Sequence, residues 1–137
     1  MENNPPLIYV AGPYRAPDSW QVEQNVRRAE RWGWEIARHG YVPVIPHTMY
    51  RYFDRTLTDE FWLRATQQLL LMCDALVLIP GWGQSEGCGQ ELALAKQRGL
   101  RVWREQETGC PPRYPEDMGR MLEWLASWFP YSGEANG

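Results

Sequence analysis

Cysteine is scarce in this chain. There are three in 137 residues, an odd number with no metal-type spacing, which argues against a disulfide framework and for a reducing cytosol. No cluster of His, Cys and Asp has ligand spacing, so neither a metal nor an organic cofactor is expected. No apolar run approaches the length of a membrane span and no signal peptide precedes Leu7; the expectation is a cytoplasmic protein without a membrane partner. Excess positive charge is missing too. A formal net charge of −3 argues against a nucleic-acid polymer, because counterion release needs a basic face. Arg27, Arg28, Arg31 and Arg38 do cluster, but they share a helix with Glu23, Glu30 and Glu35, the pattern of a solvated face. Internal repeats and low-complexity segments are also lacking.

Aromatic residues are plentiful: eight Trp and seven Tyr, more than a core of this size needs. Some must be exposed or half-exposed, which suits stacking on flat ligands or packing between subunits. Otherwise the composition, 44% hydrophobic and 23% charged, is that of one ordinary globular domain large enough for a core. The expected organisation is a loose leader over 1–6, a domain over 7–130 and a tail over 131–137.

Strands and helices alternate. Leu7 to Ala11 reads as a first strand ended by Gly12-Pro13, and Ser19 as the cap of a helix running to His39 and stopped by Gly40. A second strand is expected over 41–45, with Pro43 pointing to an edge position. Residues 46–58 read as irregular and aromatic-rich, 59–72 as a helix capped by Thr58 with Phe61, Trp62, Ala65, Leu69 and Leu70 on its apolar face. A strand over 100–103, a loop over 108–115 and an amphipathic helix over 116–129 complete the chain. The fold class is therefore α/β: a single flavodoxin- or Rossmann-like domain with a parallel sheet of four or five strands and helices on both faces. Ligands in such sheets gather at the carboxyl ends of the strands, which would bring 12–15, 46–50 and 81–91 together.

The most informative run is 73–91. Ala75 to Ile79 is apolar without alternation, as in a parallel strand covered on both faces. Glycines at 81, 83, 87 and 89 read as a sharp turn that lets a ligand approach the backbone. A helix is expected over 91–98, with Glu91 in its first turn facing that space and the positive dipole end aimed at it. The segment lacks the Lys-Ser/Thr of a P-loop, and its glycine spacing is no clean dinucleotide fingerprint.

The run Ile8-Tyr9-Val10-Ala11-Gly12-Pro13-Tyr14-Arg15, an Asp (Asp74) opening a central strand, and Ser85-Glu86-Gly87-Cys88-Gly89-Gln90-Glu91 together resemble the nucleoside 2-deoxyribosyltransferase-like superfamily. Pro80-Gly81-Trp82 ahead of the serine looks like its branch called domain of unknown function 4406, related to nucleotide N-hydrolases. The resemblance spans 7–104. It implies chemistry at the N-glycosidic bond of a nucleoside or nucleoside 5′-monophosphate, as hydrolase or transferase. The matching glutamate, Glu91, would attack the anomeric carbon and Tyr9 would orient it. Gly12, Pro13, Tyr14, Arg15, His47, Asp74, Trp82, Ser85, Gly87 and Gly89 would form the substrate-binding set. Ser85 and Arg15 match residues of the nucleotide branch and would accept a 5′-phosphate. A homo-oligomer, with the tail reaching a neighbouring subunit, is also implied.

Several bland readings stand beside these. Asp74 can simply anchor its strand end, and Trp82 can pack against the helix from Asp59 or stack on a base. His47 can be a surface residue or a base contact, and Cys88 a packing residue or a reactive thiol. The position matching the family's base-protonating aspartate is Thr66, which cannot act as an acid near neutral pH; either Asp59, Glu86 or Asp74 supplies the proton, or activation of the leaving group is weak. Two rivals therefore remain: a non-catalytic sensor of a nucleotide-derived ligand, and a glycohydrolase of an NAD-like dinucleotide, whose cationic base leaves without protonation.

Overall fold

The computed structural model describes residues 4–53, 56–104 and 116–130. Strands β1 (Leu7–Ala11), β2 (Val42–Val44), β3 (Ala75–Leu78) and β4 (Arg101–Arg104) form one parallel sheet in the order β2-β1-β3-β4. Pro43 lies in the edge strand β2, where its missing N–H costs no inner ladder bond. The α/β class expected from the sequence is the class found.

Side chains of successive strand residues point to opposite faces, so the sheet divides its strands by parity. Ile8, Val10, Ala75, Val77 and Ile79 pack on one face against helices α1 (Ser19–Arg38) and α5 (Glu116–Trp128), through Ala29, Trp32, Ile36, Met121 and Leu125. Tyr9, Ala11, Leu76 and Leu78 pack on the other face. There they meet Leu70 of α3 (Asp59–Leu71) and Cys88, Leu92 and Ala95 of α4 (Glu86–Gln97). This parity turns Tyr9 toward α4, with consequences for the site.

Local capping fixes where the helices begin. Asp18, not Ser19, caps α1, its Oδ1 accepting from the Gln21 N–H at 2.8 Å. Thr58 caps α3 as its sequence predicts, accepting from Phe61 N–H. The stretch read as irregular holds a four-residue helix, α2 (Pro46–Met49), and a 3-10 turn over Arg51–Phe53. The expected loop over 108–115 and tail over 131–137 lie outside the described residues.

The largest departure concerns the glycine-rich run. Only Gly81 carries a left-handed backbone there, at φ +93°; Gly87 and Gly89 are helical. Helix α4 begins at Glu86, with Ser85 as its cap accepting from Cys88 N–H at 3.2 Å. Glu91 therefore sits in the second turn rather than the first. A Cβ at Gly81 would lie 2.9 Å from Pro13 Cγ in addition to the strained φ. Gly81→Ala should cost about 1–3 kcal/mol and lower Tm by several degrees in thermal unfolding. An unchanged Tm would mean the turn relaxes freely.

Candidate active site

Strand order reverses between β1 and β3: the crossover through α1 leads outward to β2, and the one through α3 returns past β1 to β3. Carboxyl ends flanking such a switch leave a crevice. A cavity of about 520 Å³ opens there, within the usual range for small-molecule sites. Its walls come from the loop after β1, from α2, from the start of α3 and from the first two turns of α4.

Glu91 is half-buried at the cavity wall and accepts a hydrogen bond from the Tyr9 hydroxyl. Burial pushes the Glu91 carboxyl up to about 7, against the opposing effect of the Tyr9 hydrogen bond. Tyr9 is fully buried, and its phenol is held well above its ordinary value, by burial first and then by the Glu91 charge. Thr66 stands beside them: its hydroxyl interacts with the Tyr9 phenol and lies 3.0 Å from the Leu63 carbonyl. Because Glu91 is beyond the first turn, it is not the dipole-satisfying carboxylate of α4. That role falls to Glu86.

His47 is no surface residue. It is 6% exposed, and its Nε2–H donates to the carbonyls of Gly12 at 3.1 Å and Pro13 at 3.0 Å. Two carbonyl acceptors on Nε2 fix that tautomer as the proton carrier, and burial lowers the ring's pKa, so the imidazole is neutral. Nδ1 is buried without a partner among the described residues, as is Trp62 Nε1. The His47 clamp, together with the 3.1 Å bond from Asn25 Nδ2 to the Tyr14 carbonyl, holds the loop after β1 in place. Gly12 lines the cavity but is demanded by packing: a Cβ there would fall 2.5 Å from Ile79 Cγ1.

At the mouth, Arg15 pairs with Asp59 at the start of α3 through two bonds of 3.1 and 2.5 Å. Both are largely exposed, and the guanidinium holds the Asp59 carboxyl below its ordinary value. Cys88 lines the cavity as a packing residue; burial pushes its thiol up to about 12, far from thiolate chemistry at neutral pH.

The cavity thus brings together Tyr9, Glu91, Gly12, Pro13, Tyr14, Arg15, His47, Ser85 and Gly87 from the sequence-derived set. Three members stay outside. Asp74 precedes β3 at the amino end of the sheet, where its Oδ2 accepts from Leu7 N–H at 2.8 Å; it anchors the strand end. Trp82 is half-buried against the second core, with the Arg104 guanidinium 5.7 Å from its ring. Gly89 does not line the cavity, and a Cβ there would meet nothing within 4 Å.

Further residues outside that set line the cavity, two of them aromatic. Tyr50 and Trp62 form an aromatic wall, ring centroids 5.0 Å apart, backed by Phe53 at 6.2 Å and Phe61 at 5.0 Å from Trp62. Trp62 reads as core from its helical spacing; the surplus of aromatics near a strand's carboxyl end was the available signal. Among the described residues no group of three or more His, Cys, Asp or Glu could hold a metal ion, and no helix is long and apolar enough to cross a membrane.

A sequence-family model described as Domain of unknown function (DUF7768) matches residues 6–105. Among solved structures the chain is similar to a 2-desoxiribosyltransferase from Leishmania mexicana, at 19% identity and a TM-score of 0.53. The alignment covers 73% of this chain and 63% of that one, so the chain spans under two thirds of that protein. The likeness establishes a deoxyribosyltransferase-like fold. No curated protein matches the sequence, and the family match names no branch such as domain of unknown function 4406.

Proposed function

The chain belongs to the DUF7768 family, and we propose that it opens the N-glycosidic bond of a nucleoside or nucleotide, with Glu91 as nucleophile. One observation carries this reading: a half-buried carboxyl, accepting from the hydroxyl of a fully buried tyrosine, faces a cavity of about 520 Å³ at the switch point of the sheet. Glu91 Oε attacks the anomeric carbon, the bond to the base breaks, and a glycosyl ester forms. A second acceptor, water or another base, then releases the sugar from Glu91, giving hydrolysis or transfer. Tyr9 keeps the carboxylate in one rotamer and aims the free oxygen.

Ser85, at the N-terminus of α4, and Arg15, at the mouth, suit a phosphate at the 5′ end of the sugar. Such a phosphate would compete with Asp59 for the guanidinium. The test is to incubate the protein with nucleosides, their monophosphates and NAD, and follow free base by chromatography and the mass of the Glu91 peptide. Base release with a transient glycosyl adduct on Glu91 is expected. Binding without any release would make the protein a sensor of its ligand instead.

A further inference from the structure

We propose that the base released is a cationic, pyridinium-type ring carried on a ribosyl group, one that departs with no proton supplied by the protein. This rests on the reading of Glu91 as the nucleophile at an N-glycosidic bond.

A neutral heteroaromatic base leaves as an anion unless it is protonated as the bond breaks, so its cleavage calls for a second acidic group beside the nucleophile. The cavity does not hold one among its described residues. Besides Glu91, its carboxyls are Asp59 and Glu86. Asp59 is bound by both terminal nitrogens of Arg15, which stabilises its charged form, and Glu86 is exposed in the first turn of α4. The other polar groups are no better. His47 is neutral, and its N–H is committed to two backbone carbonyls. The Tyr9 hydroxyl is committed to Glu91, and the Thr66 hydroxyl is no acid near neutral pH. Cys88 is a buried thiol. Glu91 itself cannot protonate the base and attack the sugar in the same step.

A pyridinium ring removes this difficulty. As Glu91 Oε bonds to the anomeric carbon, the electron pair of the breaking C–N bond returns to the ring nitrogen and cancels its positive charge. The ring leaves as a neutral pyridine, and no proton moves. Water then attacks the anomeric carbon, its oxygen taking the place of Glu91, and releases the carboxylate and one proton to solvent.

The surroundings favour a flat cation. Among the described residues, three carboxyl side chains line the cavity against one arginine, which already faces Asp59. The aromatic pair Tyr50 and Trp62 lines the cavity, and aromatic rings attract a cationic ring.

The decisive experiment compares leaving groups at pH 8: nicotinamide mononucleotide and NAD as pyridinium ribosides, adenosine and uridine with their monophosphates as neutral bases, and 4-nitrophenyl β-ribofuranoside as an activated, acid-independent probe. The pyridinium compounds should react at least about 100-fold faster than the neutral ones, the scale of a missing general acid. Neutral bases released as fast would overturn the inference and leave the Glu91 reading intact, as would cleavage of the nitrophenyl probe without any pyridine release. Turnover of none of them would overturn both.

Discussion

Glu91→Gln should abolish base release, by roughly 10³-fold or more, while making the protein more stable at pH 8. The two effects share one cause. Glu91 is held against a buried phenol in a partly dry wall, where its charge is poorly solvated and its pKa rises from an ordinary 4.5 to about 7. Between those values the folded chain binds more protons than the unfolded one. The stability this group contributes is complete below about pH 4.5 and is lost as pH rises through about 7. The gap corresponds to on the order of 3 kcal/mol. Glutamine does not titrate, and its carbonyl oxygen can still accept from Tyr9. The variant should therefore melt several degrees above the parent at pH 8 and converge with it near pH 4. A lower melting temperature at pH 8 would show that the charged carboxylate is satisfied by contacts other than Tyr9. Full activity in the variant would remove Glu91 from the chemistry.

The sheet was legible because its signals are local. An unbroken apolar run at 75–79 between turn signals is what a strand covered on both faces shows, and Pro43 belongs at an edge. The pairing of Tyr9 with Glu91 rested on resemblance, and the fold supplies its physical reason: strand parity turns Tyr9 to the α4 face. Glycine obscured the helix start. Gly87 and Gly89 have poor helix propensity, yet Ser85 caps the helix, and Cys88, Leu92 and Ala95 recur at i, i+4 and i+7 on the core face. That spacing overrides the glycines, and it was present in the sequence. Asp74 precedes a four-residue strand, about 13 Å from the carboxyl end of the sheet, and its bond to Leu7 N–H fits the strand-anchoring reading rather than the substrate-binding one. Trp62 needed three dimensions, because helical spacing alone does not distinguish a core face from one that borders a cavity, whereas Tyr50 lay in the 46–50 segment already expected at the strand ends.

Tyr9→Phe should move the pH dependence of the reaction rather than only lower its rate. Attack requires the carboxylate, so kcat/KM should rise tenfold per pH unit below about 7 and level off above it. The Tyr9 hydroxyl donates to the charged form of Glu91 and so lowers that pKa against the effect of burial. Removing the donor leaves desolvation unopposed, and the rising limb must shift to higher pH. The loss in Tyr9→Phe should then be several-fold larger at pH 6 than at pH 9, where both proteins carry the carboxylate. What remains at pH 9 measures orientation alone. Other titrating neighbours are separable. Burial lowers the His47 pKa, so its limb falls on the acid side of an ordinary imidazole and should not respond to the phenylalanine. Cys88, pushed up to about 12, titrates beyond the range. A limb that stays where it was in Tyr9→Phe would mean that the titrating group is not the carboxyl Tyr9 touches. The assignment of Glu91 as the attacking group would then fail, even if the variant were slower at every pH.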